Sequence, residues 1–259
     1  GDSAAATELL LGTEGTLRIT GAVDAPLVAL TAAGGIAQDG GTIRAETLRA
    51  VAQTGAVALE GPGHAIGALG DSGGATGFAL ATTGALRVEG DITTGGTLSL
   101  RADDLALAGA LRGDAVQLTA TQGDLAQSGG AITATTLRAE ASGEVRLDAT
   151  GNAIAAVSGR AGPLFRLRSA SALTVDDIGA ETVALIAGGP ITQPATGLGI
   201  TAALLTAEAQ GAVELLAPAN AIAALGPVAA ESFVLRGVGA LELAAPLDLT
   251  LLDLGLGGS

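Results

Sequence analysis

GPGHAIGAL (61–69), ATGNAIAAV (149–157) and APANAIAAL (217–225) are three versions of one phrase. Its fourth position holds His64, Asn152 and Asn220, the single histidine and the only two asparagines of the chain. The three phenylalanines keep the same register. Phe78, Phe165 and Phe233 follow that position by 14, 13 and 13 residues. Rare residue types do not fall into step by chance, so the chain is an array of one duplicated unit, and its period decides the fold.

The rest of the unit aligns around these markers. GGIAQ, GDLAQ and GPITQ open the copies at Ile36, Leu125 and Ile191, with Gln38, Gln127 and Gln193 two residues on. I-x-A-x-x-L and G-x-V-x-L follow, then the His/Asn phrase, F-x-L and L-x-V. The expected organisation is a single domain over 1–259. It holds a partial unit at 1–33 and copies at 34–121, 122–188 and 189–254. The first full copy is longer by about 19 residues. Leu105 to Ala120 keeps the apolar alternation and reads as one extra structural turn.

Within each unit apolar residues alternate over three to five positions, as in Leu86-Arg87-Val88 and Val145-Arg146-Leu147. Period two marks strands with one buried face. A helical period competes in AETLRAVAQ (45–53), but glycine interrupts such stretches too soon for a stable helix. The prediction is all-β: a parallel β-helix of about 12 turns, each of roughly 19–23 residues, with three turns per superrepeat. The stretch from Gly70 to Gly77 reads as the longest non-repetitive insertion.

Composition narrows function. Hydrophobic residues make up 48% of the chain, yet Trp, Tyr, Met and Cys are absent. The net charge is -14, and all twelve basic residues are arginine. An acidic chain without basic clusters or stacking aromatics argues against nucleic acid as a partner. No apolar stretch reaches the length of a membrane span. Without thiols or lysines, and with one imidazole, no cofactor, metal or catalytic residue is assigned, and the chain is not expected to be an enzyme. His64, Asn152 and Asn220 read as structural corners, because asparagine bonds locally to backbone at tight turns. The pairs Asp103-Asp104 and Asp176-Asp177 read as solvated turn carboxylates. The Gly-Asp-Ser start suggests a mature product or a piece of something longer.

The string G-x-I-x-Q, I-x-A-x-x-L, G-x-V-x-L, N-x-I-x-x-L, F-x-L, L-x-V resembles the repeats of filamentous haemagglutinin-like exoproteins, the passengers of bacterial two-partner secretion. The resemblance implies a right-handed solenoid, Gram-negative-type secretion through an outer-membrane partner, and an extracellular or cell-surface location. On this basis the first expectation is a structural or adhesive shaft segment of a bacterial fibre. Its partners would be neighbouring solenoid segments or a host or matrix glycan or protein. Two rivals stay open: a filament subunit stacking on identical copies end to end, and a polysaccharide-active β-helix enzyme.

Overall fold

The computed structural model describes residues 7–257. The first six residues of the partial unit expected over 1–33 lie outside that range. Every described element is a β-strand, and thirty strands pair in parallel to build a solenoid of about twelve turns. The described chain forms two compact units, 7–123 with 128–130 and 124–127 with 131–257.

In the first unit one interior column runs Leu17, Ile36, Val57, Phe78, Leu98, Val116, each paired to the next. In the second, one column runs Leu125, Val145, Phe165, Val183, Leu205, Leu225, Leu243. A neighbouring column runs Leu173, Ile191, Val213, Phe233, Leu252. Column members lie 18–22 residues apart, slightly below the predicted turn length. Pairing fixes the strands, so variation in turn length falls to corners and to the irregularities at Val157/Gly159 and Leu205/Ala207.

The openings of each copy now have a physical meaning. Ile36, Val57 and Phe78 stack directly, as do Leu125, Val145 and Phe165, and again Ile191, Val213 and Phe233. The superrepeat, however, is not a whole number of turns. From Phe165 three turns lead to Leu225, and Phe233 lies eight residues further, on the next column. From Phe165 to Phe233 the repeat is thus three turns and one strand more. A count of apolar positions misses that last strand, because each face of the solenoid shows the same alternation.

The period-two reading fixes which side chains go in. Phe78, Phe165 and Phe233 are buried together with Leu80, Leu167 and Leu235, while Ala79, Arg166 and Val234 between them are partly exposed. The competing helical stretch is the ten-residue strand Ile43–Ala52. Gly70 to Gly77 is not an insertion. Ser72–Gly74 is a strand paired on one side with Val51 and Ala52 and on the other with Ile92 to Thr94. Its glycines suit this place because backbone crowds it: a Cβ on Gly74 would lie 2.2 Å from the Gly77 carbonyl oxygen.

Leu105 to Ala120 lies on the preceding turn, with Leu105 paired to Leu86, Leu111 to Ile92 and Val116 to Leu98. Deleting 98–115 therefore joins Thr97 to Val116 in unbroken register. The shortened chain should keep its β circular-dichroism signal and a cooperative melt, because stability in such arrays is roughly a sum of local terms. Loss of the β signal would show that these residues are not an interchangeable turn.

Candidate functional site

The markers singled out by rarity converge inside the solenoid. His64, Asn152 and Asn220 are buried, with 0, 0 and 1% exposure. Each accepts a backbone N–H from about one turn earlier. Ile43 donates to His64 Nδ1 at 2.9 Å, Ile132 to Asn152 Oδ1 at 2.8 Å and Ile200 to Asn220 Oδ1 at 2.7 Å. Each also bonds the glutamine of its own copy. His64 Nε2 lies 2.7 Å from Gln38 Oε1. Asn152 Nδ2 donates to Gln127 Oε1 at 2.9 Å, and Asn220 Nδ2 to Gln193 Oε1 at 2.8 Å. The glutamine oxygen takes a second bond from backbone, from Gly61 at 2.6 Å, Ala149 at 3.4 Å and Ala217 at 3.3 Å.

Each marker pair is thus a lock between neighbouring turns. This corrects the reading of a residue that serves only its own corner. Asn152 and Asn220 do bond locally, to the carbonyls of Leu147 and Leu215, but their other bonds leave the corner: both reach the turn before, and Asn220 also donates to the Arg236 carbonyl on the turn after. A buried amide group is stable only when its donors and acceptors are met, and these are met several times over.

The histidine copy differs in its corner. Pro62 and Gly63 occupy the turn, with Gly63 at φ +90, the value the third position of a type II turn requires. In the other copies the residue before asparagine is Gly151 or Ala219, neither at positive φ, and the asparagine N–H bonds the carbonyl three residues back. Imidazole is longer than a carboxamide, and Gln38 is pressed against Gly61. A Cβ there would lie 2.3–2.4 Å from the Gln38 side-chain amide. That amide cannot swing aside freely, since it bonds His64 and the Gly41 carbonyl. Glycine at 61 and histidine at 64 therefore go together, where the other copies have alanine and asparagine. Gly61→Ala should destabilise by about 1–3 kcal/mol through the broken Gln38 bonds. Adding His64→Asn should restore most of it, as a thermal or urea double-mutant cycle would measure. Additive effects would refute the coupling.

A hydroxyl shared by two copies went unseen in the sequence. Thr82 and Ser169, each four residues after a phenylalanine, are buried and accept the N–H of Ile66 at 2.9 Å and Ile154 at 3.1 Å. The third copy has Gly237, where a Cβ would lie 2.5 Å from the Asn220 carbonyl oxygen. Two small hydroxyl residues and a glycine leave no recognisable pattern.

The acidic pairs are bonded, not merely solvated. Asp103 accepts the Gly84 N–H at 2.8 Å and the Thr121 hydroxyl at 3.0 Å, and these bonds hold its carboxyl below the usual range. Asp176 accepts the Leu198 N–H, and Asp177 takes both its bonds from Arg160 Nη2. Asp71 and Asp91 cap successive corners, accepting from Asp91 and Ala110 backbone. Asp71, Asp91, Asp103, Asp124 and Asp176 are thus engaged by backbone N–H groups at corners. Arg166 projects outward, with its Nε 3.2 Å from Asp148 but out of line for a hydrogen bond. Such exposed pairs contribute about 0–1 kcal/mol each.

On the first unit a groove of about 640 Å³ is lined by the 60–63 corner, Thr83, Ser99, Arg101, Asp103 and Gln117 among others. Among the described residues no group of three or more His, Asp or Glu is placed to hold a metal ion. No described helix is long and apolar enough to cross a membrane.

A family model described as repeats of unknown function (DUF5649) matches residues 95–159 and 162–228, together just over half of the chain. Its two matches begin 67 residues apart, close to the spacing between Phe165 and Phe233. No curated protein and no solved structure matches the chain.

Proposed function

Taking as premise that the chain belongs to the DUF5649 family of repeats, we propose that it is a structural and adhesive solenoid segment of a secreted or cell-surface bacterial fibre. The observation that carries this reading is the direction in which side-chain chemistry is spent. The repeated pairs, glutamine with asparagine or histidine, face inward and tie turn to turn. A unit that multiplies internal ties is suited to length and stiffness, and its repetitive exterior to contact. The resemblance to filamentous haemagglutinin-like passengers adds the location and a secretion route through an outer-membrane partner.

Neighbouring solenoid turns, whether of one longer chain or of identical copies, are the proposed axial partner. Strand Leu251–Gly257 pairs with Ser232–Val238 and leaves Leu251, Leu252, Leu254 and Leu256 exposed by 57, 41, 37 and 38%. Unpaired strand edges with apolar side chains favour addition of a further strand. A host or matrix glycan or protein is the proposed lateral partner.

Immunogold labelling of the cells that produce the protein tests the location, and electron microscopy of the purified chain tests the form. Surface label and single rods support a shaft. Uniform long fibres shift the reading to a self-assembling filament. Label confined to the cytoplasm sinks both.

A further inference from the structure

We propose that the His64 lock is an acid-sensitive joint: protonation of the ring releases Ile43 and the 61–63 corner, while the Asn152 and Asn220 locks stay closed. Three equivalent locks exist, and one of them has a titratable group where the others have a carboxamide.

The geometry fixes the tautomer. Nδ1 accepts the Ile43 N–H, so it carries no proton. Nε2 faces Gln38 Oε1, an acceptor, so it carries the proton. Oε1 is assigned by its other partner, the Gly61 N–H, and by the same orientation of Gln127 and Gln193. A second proton has to go on Nδ1, which is aimed at the Ile43 N–H. Two donors would then face each other in a fully buried site. No rotation of the ring helps, since both ring nitrogens of the cation are donors. The cation must leave its place. The Thr82 and Thr83 hydroxyls both donate to the His64 carbonyl and so hold its backbone in place.

No ionised group compensates. The polar atoms bonded to the ring belong to the neutral Ile43 amide and Gln38 carboxamide. The charged residues on the surrounding elements are Asp39, Arg44, Glu46, Arg49, Glu60, Arg101 and Asp103. All are exposed except Asp103, which is half-buried with both oxygens engaged, and Asp39 is paired with Arg18. Burial holds the His64 ring below its ordinary value of about 6.5. The folded chain thus binds fewer protons here than the unfolded one. The stability contributed is fully present above about 6.5 and is lost as pH falls through the lower folded-state value.

One histidine in the chain makes the test unambiguous. NMR of the ring nitrogens should show the Nε2–H tautomer at neutral pH and titration below the ordinary value. Amide exchange, corrected for the intrinsic rate, should report the opening. Between about pH 7.5 and 5, protection at Ile43 should fall roughly tenfold or more against Ile132 and Ile200, as expected of a local opening coupled to uptake of one proton. His64→Asn should abolish the difference. The idea is overturned if the ring titrates at or above its ordinary value, or if the three isoleucines lose protection equally. It is overturned equally if a folded His64→Asn chain keeps the Ile43 response. Should that variant not fold, ring titration and exchange in the natural chain decide alone.

Discussion

Phe165→Ala should lower stability by about 3–5 kcal/mol, the loss typical of deleting a large buried ring. The ring has no exposed surface, and its residue is held between Val145 and Val183 in the column. It also lies against Gly159, where a Cβ would come within 2.9 Å of its Cε2. The turns on either side are held in parallel register and cannot close over the cavity without breaking pairs. The loss should therefore be local. Exchange at the Val145 and Val183 amides should accelerate well before that at Ile36. Arg166→Ala, one residue away and outward, should change stability by less than about 1 kcal/mol, as exposed ion pairs do. Equal effects from the two substitutions would mean that the inward and outward assignments are wrong.

Asn220→Ala should be nearly as severe, at about 2–4 kcal/mol, from buried groups left without partners. The substitution strips the Ile200 N–H of its acceptor and the Gln193 oxygen of a donor. It also removes donors from the carbonyls of Leu215 and Arg236. A second change, Gln193→Leu, should then cost less than it does in the natural chain, because its bond to Asn220 is already gone and only those to the Ala217 N–H and the Asp176 carbonyl remain to be lost. Urea melts of the two single variants and the double variant measure this. Full additivity would show that the lock is not a unit.

The sequence made the strands and their inward faces legible because both follow from local alternation. F-x-L with Arg166 in its middle leaves one possible orientation, and the structure adopts it. The rarity of His64, Asn152 and Asn220 marked them as related, and the alignment around them brought in Gln38, Gln127 and Gln193. Their mutual bonds were not legible, because the partners are 25–27 residues apart and meet only when the turn length is known. The same ignorance hid the extra strand in the superrepeat and turned Ser72–Gly74 into a supposed insertion. The corner carboxylates failed for another reason. Asp103 and Asp71 accept from backbone N–H groups, and no residue type in the sequence announces a backbone donor.

The extra strand between Phe165 and Phe233 sets how the exterior of the second unit is addressed. In the second unit Arg166 sits beside Phe165 in one column and Val234 beside Phe233 in the next. Within this unit, equivalent outward residues of the two copies therefore lie on adjacent faces and not in one row. A flat partner lying along one side meets a given motif only intermittently, with unrelated turns in between. A partner that winds around the axis, or many small partners approaching from all directions, meets both copies of this unit. Duplication in the second unit multiplies bearings of the compass and not rows on a single wall.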